Sequence, residues 1–343
     1  MIAITGATGH VGNALLRALA ERRKAGGSQG EPAAGQVRAI VRPGRDTSTC
    51  FEGLDVEVVE ADMRDPQALA AAFQGADAVF HLAGIISITR ERYDRLHAVN
   101  VEGTRNVLAA CRAAGVRRLV YTSSIHAFVE PPHGTCTDET TPVDPQLVTT
   151  PYAKTKAEAT RLVLAAAHDG LDAVVVFPSG IIGPYDFKPG QTGQLVLELS
   201  KGRIKAWVDG GYNFVDVRDV ASGLIAALER GRAGEGYVLS GSEIRVWDLF
   251  HTVAELSGTP APRMHVNMRL LRAVSPFIPV YYWATRQRPL FTSMSLEVIC
   301  SNCAMSCAKA ERELGFTPRP LRDTLGDTIG WFREQGMLEN RGS

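Results

Sequence analysis

The chain has 343 residues, of which 45% are hydrophobic and 22% are charged. Its 37 basic and 37 acidic residues leave no formal net charge. A chain of this length normally divides into two packed regions, and a neutral chain lacks the basic surplus of proteins that bind nucleic acids or coat anionic membranes. These numbers predict a protein with two regions and no nucleic-acid partner.

The first residues run directly into a glycine-rich turn, without the basic segment, apolar core and cleavage site of a signal peptide. The six cysteines of such a chain more often remain thiols in a reducing compartment than form a disulfide framework. Residues 273–285 carry no charge, but they are too few and too interrupted by proline to span a bilayer. We therefore expect a cytoplasmic protein with no integral membrane segment.

The alternation of strands and helices is the main structural pattern. Apolar runs bounded by turn residues predict strands, and helical spacing predicts the helices between them. In chain order the predicted elements are strand 2–5, helix 11–23, strands 37–41 and 56–60, helix 66–73, strand 78–82, helix 101–114, strand 118–122, helix 152–167 and strand 173–177. This repetition predicts an α/β protein with a doubly wound parallel sheet that is covered on both faces.

The regularity fades after Pro178. A strand and a helix return at 214–228, a further strand is predicted at 237–239, and helices are predicted at 246–256 and 321–335. We assign 1–178 plus 213–240 to a larger lobe. Residues 179–212 plus 241–340 then form a smaller, mostly helical α/β lobe.

A glycine-rich turn joins the first strand to the first helix. Its three glycines are spaced three residues apart, which allows a tight turn and lets backbone N–H groups approach a pyrophosphate at the helix N-terminus. Three glycines at this spacing are weak evidence alone, but their position between a strand and a helix favours a dinucleotide site. The predicted contacts in this turn are Gly6, Thr8, Gly9, His10, Val11 and Gly12.

Two further positions bear on the adenosine end of a dinucleotide. Arg42 follows the second strand, where a carboxylate usually receives the ribose hydroxyls, and its planar guanidinium suits a 2′-phosphate. NADP is therefore favoured over NAD, unless Arg42 is an ordinary surface arginine. Asp62 and Met63 follow the third strand, where the carboxylate either accepts from the adenine amino group or caps the next helix.

Tyr152 and Lys156 are separated by four residues and so lie on one face of a predicted helix. A tyrosine with a pKa of about 10 is a poor acid–base catalyst at neutral pH, and a neighbouring ammonium is expected to lower that pKa. Ser123 and Ser124 close the strand 118–122, at the sheet edge where parallel sheets bind ligands. A serine hydroxyl there is placed to bind a substrate carbonyl oxygen, although a Ser-Ser pair is more often a simple turn.

With these motifs in this order, the chain resembles the extended short-chain dehydrogenases/reductases, also called the NAD-dependent epimerase/dehydratase family. The resemblance extends from Thr5 to about Trp331 and includes the segments 81–84, 100–104, 178–184 and 215–220. It implies a Rossmann-type larger lobe that binds the cofactor and a smaller lobe that binds the substrate. It also implies a homodimer.

The same resemblance implies a catalytic triad of Ser124, Tyr152 and Lys156, in which Lys156 also holds the nicotinamide ribose. Asn100 would tie neighbouring strands at the carboxyl edge of the sheet. The cofactor contacts implied beyond the turn are Leu82, Ala83, Gly84, Tyr152, Lys156, Pro178 and Ile181.

Departures from the subfamily patterns narrow the reaction. The resemblance to sugar-nucleotide dehydratases of this family would require a Thr-Asp-Glu arrangement at the catalytic hydroxyl. Here Ser124 is followed by Ile125 and His126 instead. Arg42 and the pair at 178–179 resemble the dihydroflavonol-reductase and aldehyde-reductase branch, whose members use NADPH. Segments 183–189 and 308–316, however, resemble bacterial proteins named hopanoid-associated sugar epimerases.

Three functions follow from these comparisons of motifs. The leading hypothesis is NADPH-dependent reduction of a ketone or aldehyde in a small organic substrate, with Tyr152 as general acid/base. The alternative is an NAD-dependent nucleotide-sugar epimerase. A third hypothesis, a non-catalytic nucleotide-sensing protein, leaves the intact triad without a purpose.

Two remaining features are weaker. Cys300, Cys303 and Cys307 are spaced like part of a metal site, but a tetrahedral site needs a fourth ligand, so we predict no metal. His126 either faces the substrate or makes a local hydrogen bond.

Overall fold

A computed structural model describes residues 1–26, 35–86, 93–132, 134–268, 299 and 302–339. The first half of the chain alternates strands with helices, as the spacing of its apolar residues predicts. Its elements are β1 (Ile2–Thr5), α1 (His10–Lys24), β2 (Val37–Val41), β3 (Glu57–Glu60), α2 (Pro66–Ala72), β4 (Ala78–His81), α3 (Tyr93–His97), α4 (Gly103–Ala113), β5 (Arg118–Thr122), α5 (Pro151–His168) and β6 (Ala173–Pro178).

The second half is less regular. Its elements are β7 (Gly180–Ile182), α6 (Gln191–Ser200), β8 (Ala206–Trp207), β9 (Gly211–Asp216), α7 (Val217–Arg230), β10 (Gly236–Leu239), β11 (Ser242–Arg245), α8 (Val246–Ser257), β12 (Met264–His265), α9 (Ala308–Leu314) and α10 (Leu321–Glu334). Most predicted bounds agree within two residues. The helix predicted from 101 begins at Gly103, because Ala98–Glu102 form a wider π-helical turn.

The large sheet has seven strands in the order β10-β6-β5-β4-β1-β2-β3, and every neighbouring pair is parallel. The order reverses direction at β1, as in doubly wound nucleotide-binding sheets. Successive side chains of β1 point to opposite faces: Ile2 and Ile4 pack in the cluster with α1 and α7, whereas Ala3 packs in the cluster with α2, α4 and α5. The predicted Rossmann-type sheet, covered on both faces, is therefore confirmed.

The strand near Phe214 differs from the sequence prediction. The sequence assigns this strand to the larger lobe together with the large sheet. In the structure β9 pairs with β7 and β11 in a separate three-stranded sheet. Only α7 and β10 of the segment 213–240 join the large sheet, α7 by packing against α1. The alternation of apolar residues identifies a strand but not the sheet in which it pairs, so the division into lobes stays a prediction.

A buried ion network connects α7 with α10. The Asp216 carboxylate is fully buried, caps α7 through the backbone N–H of Arg218, and accepts two hydrogen bonds from the Arg218 guanidinium. Arg218 also contacts Asp327 of α10 at 2.7 Å. Burial alone raises the pKa of Asp216, but the Arg218 hydrogen bonds outweigh it and hold the pKa below its usual value. The network therefore fixes α10 to the start of α7.

Candidate active site

The glycine turn after β1 has the geometry of an anion cradle. Gly6 has a φ of 73°, and a Cβ atom added there would lie 2.7 Å from the backbone nitrogen of Ala83. A Cβ atom at Gly12 would overlap the carbonyl oxygen of Gly6. Since Gly9 is the N-cap of α1 and has no side chain, the first N–H groups of that helix remain available. The turn therefore fits the pyrophosphate of a dinucleotide.

A cavity of about 780 Å³ opens from this turn along the carboxyl edge of the large sheet. Of the predicted cofactor contacts, those in its lining are Gly6, Gly9, His10, Val11, Gly12, Leu82, Gly84, Tyr152, Lys156, Pro178 and Ile181. The others lie outside the lining: Thr8, Arg42, Asp62, Met63 and Ala83. His10 lies where it was predicted, but its Nε2 also bonds the carbonyl of Pro184 at 2.9 Å, which ties the turn to the segment after β7.

His81 is a buried structural link beneath this site. Its Nδ1 lies 2.8 Å from the Thr5 hydroxyl and its Nε2 lies 2.9 Å from the Thr104 hydroxyl. Burial, and then the charge of Lys156, lower the pKa of His81 to about 3, so the ring is neutral. It joins β1, β4 and α4 at the sheet edge.

Asn100 differs from its predicted role. Its side chain accepts from the backbone N–H of Ile85 at 2.8 Å and donates to the carbonyl of the same residue at 3.0 Å. It also donates to the Thr155 hydroxyl of α5 at 3.1 Å. Asn100 therefore fixes the segment after β4 to α5 instead of joining two strands, and a Cβ atom added at Gly84 would lie 3.3 Å from its Oδ1.

The two serines after β5 have different partners. The Ser123 hydroxyl lies 2.6 Å from that of Thr160, so it faces α5. Ser124 accepts from the backbone N–H of His126 at 3.3 Å, and its hydroxyl acts on Tyr152 by lowering the phenol pKa. This arrangement favours Ser124 over Ser123 as the residue beside Tyr152, which the resemblance also implies.

Tyr152 and Lys156 lie on the first turns of α5 and are both buried. Burial raises the pKa of Tyr152 to about 12, against the opposite effect of Ser124. Burial also lowers the pKa of Lys156 to about 7. The prediction that Lys156 lowers the pKa of Tyr152 is not met in this structure, because desolvation disfavours the charged form of each group.

Lys156 is held by β5. Its ammonium donates to the carbonyl of Thr122 at 2.8 Å and to the hydroxyl of Tyr121 at 3.4 Å, and it lies 5.0 Å from the centre of the Tyr121 ring. An ammonium has three donors, so one remains for a ribose hydroxyl in the same cavity.

The residues near the predicted adenosine position form a small charged group. Arg42 is exposed after β2, and its charge contributes to lowering the pKa of Asp62. The main cause of that shift is Arg64, which donates to both Asp62 oxygens at 2.9 and 2.7 Å and brings the pKa to about 2. Asp62 is therefore already paired, while Met63 is buried against Gly103.

The far end of the cavity was not identified from the sequence. It is walled mainly by apolar side chains of α6, α8, β8, β9 and β11 and of residues next to β8 and β12, and these positions form no contiguous motif. They include Leu195, Trp207, Val208, Phe214, Ile244, Val246, Leu249, Phe250, Val266 and Ile299.

Two polar rings meet this apolar wall beside Tyr152. The Tyr212 hydroxyl of β9 lies 3.0 Å from Nε2 of His126, and the centre of the His126 ring lies 6.1 Å from that of Tyr152. Burial lowers the pKa of His126 to about 4. The sequence leaves the role of His126 open and contains no local signal for Tyr212, because these two partners are 86 positions apart.

The remaining predictions concern metals and membranes. Cys300 and residues 273–285 lie outside the described residues, while Cys303 donates to Glu243 and Cys307 donates to Glu311. Within the described ranges, no group of histidine, cysteine, aspartate or glutamate side chains is arranged to hold a metal ion. No helix in the same ranges is long and apolar enough to cross a membrane.

Comparison with known proteins gives consistent results. The model of the NAD dependent epimerase/dehydratase family matches residues 2–240. The chain is 35% identical over 339 residues to sterol demethylase protein B of Methylococcus capsulatus, covering 98% of this chain and 99% of that protein. It is 32% identical over 336 residues to the 2-alkyl-3-oxoalkanoate reductase of Stenotrophomonas maltophilia, covering 93% and 94% respectively.

Among solved structures, a nucleoside-diphosphate-sugar epimerase from Pseudomonas aeruginosa is similar, with 28% identity and a TM-score of 0.79. The match covers 98% of this chain and 99% of that one. The family predicted from the motifs is confirmed.

Proposed function

Because the chain belongs to the NAD dependent epimerase/dehydratase family, a family of NAD(P)-dependent enzymes, we propose that it is an NADP(H)-dependent oxidoreductase. Its reaction is reduction of a ketone or aldehyde group carried by a largely apolar organic molecule. The observation that carries the proposal is the position of Ser124 and Tyr152 in one cavity with an apolar wall.

The wall favours an apolar substrate over a sugar nucleotide. Trp207, Phe214 and Phe250 line the same cavity as Tyr152, and the Trp207 ring packs against the tilted ring of Trp247 with centres 4.6 Å apart. Such surfaces gain binding energy by removing hydrocarbon from water, whereas a sugar or a phosphate needs convergent polar groups. Two relatives whose names refer to a sterol and to an alkyl-oxoalkanoate support the same choice.

The triad residues divide the chemistry of reduction among them. When bound, the reduced nicotinamide supplies a hydride to the carbonyl carbon. Tyr152, whose pKa of about 12 keeps it protonated at neutral pH, gives its proton to the carbonyl oxygen. Ser124 donates a hydrogen bond that orients this oxygen, and Lys156, which Thr122 and Tyr121 hold through two of its three donors, keeps one donor for the nicotinamide ribose.

The choice of NADP rests on the charges after β2. Arg42 is exposed there, and Asp62, the carboxylate whose pKa it affects, is paired with Arg64. Arg42 stands where a carboxylate usually binds the ribose hydroxyls of NAD, and its planar donors suit a 2′-phosphate.

Steady-state kinetics test the proposal. The purified chain is mixed with NADPH or NADH and a panel of aromatic and alicyclic ketones and aldehydes, and nucleotide oxidation is followed by absorbance. Tyr152→Phe is expected to lose at least about 100-fold in kcat, the usual contribution of a general acid. Tyr237→Phe is the matched control, because Tyr237 bonds Glu313 and is not part of the cavity lining. Equal turnover by the wild type and Tyr152→Phe would refute the proposed role.

An epimerase is the second candidate, since the similar Pseudomonas aeruginosa structure has that name. An epimerase oxidises and then reduces the same sugar, so it retains its nucleotide between turnovers. The nucleotide released from denatured protein distinguishes the two functions: NADP(H) supports the reductase, while tightly held NAD(H), unaffected by Arg42→Ala, supports the epimerase.

The homodimer is proposed on the family resemblance, and the cytoplasmic location on the six cysteines, which are expected to remain thiols in a reducing compartment. Light scattering on the purified chain tests the dimer, and cell fractionation tests the location.

A further inference from the structure

His126 and Tyr212 form a polar pair at the boundary between the two sheets. His126 lies on the short 3-10 turn Ile125–Ala127, and this turn begins directly after Ser124 at the end of β5. Tyr212 belongs to β9. Their rings stack with centres 6.3 Å apart, and the Tyr212 hydroxyl meets Nε2 of His126 at 3.0 Å. Both residues line the cavity that contains Ser124 and Tyr152.

The Tyr212 ring is fixed in place from several sides. A Cβ atom added at Gly180 would overlap it, so the glycine of β7 provides the space that the ring occupies. Phe214 packs edge-on against the ring with centres 5.2 Å apart. The hydroxyl that reaches His126 is therefore preorganised by packing.

The neutral imidazole of His126 has two tautomers, and they reverse the direction of its hydrogen bond with Tyr212. Burial raises the pKa of Tyr212 and lowers that of His126, so the phenol keeps its proton and the imidazole is neutral. In the tautomer whose Nε2 accepts from the Tyr212 phenol, the ring proton is on Nδ1. Nδ1 of His126 has no hydrogen-bond partner among the described residues. It is also absent from the fully buried unpaired atoms of those residues, so part of its surface is accessible.

We propose that the Nδ1–H group of His126 binds a second oxygen of the substrate, close to the carbonyl that Ser124 and Tyr152 hold. Since the rings of His126 and Tyr152 are 6.1 Å apart, one substrate reaches both when its oxygens are on adjacent or alternate carbons. The substrate class is an oxo compound that carries an ester, carboxyl or hydroxyl oxygen one or two carbons away, attached to an apolar body. This inference rests on the proposed reductase function.

The pair has a cost that a purely structural contact does not require. Two polar groups in an apolar wall lose their hydration, and one hydrogen bond between them only partly offsets that loss. A phenylalanine and a leucine at these positions fill the same space without the loss. The polar pair is useful when a ligand oxygen completes its hydrogen bonding.

The test compares oxo esters with ketones of matched length. Ethyl benzoylacetate is paired with hexanophenone, and ethyl benzoylformate with valerophenone, and kcat/KM is measured for all of these compounds with NADPH. The ratio of ester to ketone within each pair is compared between variants, so intrinsic differences in reactivity cancel. The variants are His126→Asn, whose amide nitrogen replaces Nδ1, His126→Gln, whose amide nitrogen replaces Nε2, and Tyr212→Phe.

In at least one pair, the ratio is expected to fall about threefold to tenfold in His126→Gln, the value of one neutral hydrogen bond, and to stay within about twofold in His126→Asn. Tyr212→Phe is expected to lower the ratio as well, because nothing then holds the proton on Nδ1. Unchanged ratios in all variants overturn the inference. An equal fall in the asparagine and glutamine variants also overturns it, since that result indicates a structural role. If the wild type reduces none of these compounds or any other carbonyl in the panel, the proposed function fails and the inference fails with it.

Discussion

The Lys156 ammonium donates to the main-chain carbonyl of Thr122 at 2.8 Å, so the end of β5 fixes the charged group of α5. The carbonyl is a neutral acceptor and compensates little of the loss of hydration. Burial therefore lowers the pKa of Lys156 to about 7, and the charge of this residue changes close to neutral pH.

This shift in the pKa of Lys156 predicts that kcat/KM for NADPH depends on pH. A lysine is charged below its pKa, so kcat/KM for NADPH, which reports the free protein, is expected to fall as the pH rises above about 7. Lys156→Arg keeps its charge across this range and is expected to lose the descending limb, even if its absolute rate is lower. Profiles measured from about pH 6 to about pH 10 check this. If the wild type and Lys156→Arg show the same fall in kcat/KM above about pH 7, a group other than Lys156 causes that fall.

The glycine cradle predicts a sharp difference between two substitutions of the same kind. Gly12→Ala places a methyl group on the carbonyl oxygen of Gly6, so we expect it to abolish NADPH binding in isothermal titration calorimetry. Gly326→Ala is the control, because a Cβ atom there meets nothing within 4 Å and helix α10 gains up to about 1 kcal/mol. Normal binding by Gly12→Ala would remove the turn from the nucleotide site.

Arg42 is expected to set the choice between nucleotides. Loss of a charge-assisted contact to a 2′-phosphate costs about 1.5 to 3 kcal/mol, so Arg42→Ala should raise KM for NADPH by about tenfold or more. KM for NADH should change little, because NADH has no such phosphate. Arg105→Ala, on the exposed face of α4, is the matched control. Equal effects on the two nucleotides would argue against a phosphate contact.

The ion network at Asp216 is expected to contribute to stability. Asp216→Asn removes the fully buried carboxylate of this network and leaves Arg218 with Asp327 as its charge partner, and breaking a buried pair in this way costs about 3 kcal/mol in the free energy of unfolding. Asp209→Asn is the control, since Asp209 is largely exposed in its pair with His265, and it should change stability by less than about 1 kcal/mol. Urea denaturation at neutral pH measures both changes.

The same network determines how that difference depends on pH. The pKa of Asp216 is lowered in the folded protein, so its contribution is present above the unfolded value of about 4 and is lost as the pH falls through the folded value. The gap between the wild type and Asp216→Asn should therefore narrow in acid. A gap that widens below pH 4 would contradict the lowered pKa.

The sequence by itself determined the strands and helices of the large sheet's layers, the glycine turn and the spacing of Tyr152 and Lys156. These are local properties: apolar periodicity selects strand or helix, the turn requires residues without a Cβ atom, and positions four apart share a helix face. For the same reason β1 and β5 were predicted with the bounds that the structure has.

Only the tertiary structure decided which side chains face each other across the cavity. It turned Ser123 toward Thr160, paired β9 with β7, and brought Tyr212 to His126 across 86 positions of sequence. It also reversed the expected effect on the pKa of Tyr152, because desolvation depends on what surrounds a residue in space. Sequence spacing fixes the backbone locally, but burial and long-range packing determine the charge, the proton and the partner of each group in the site.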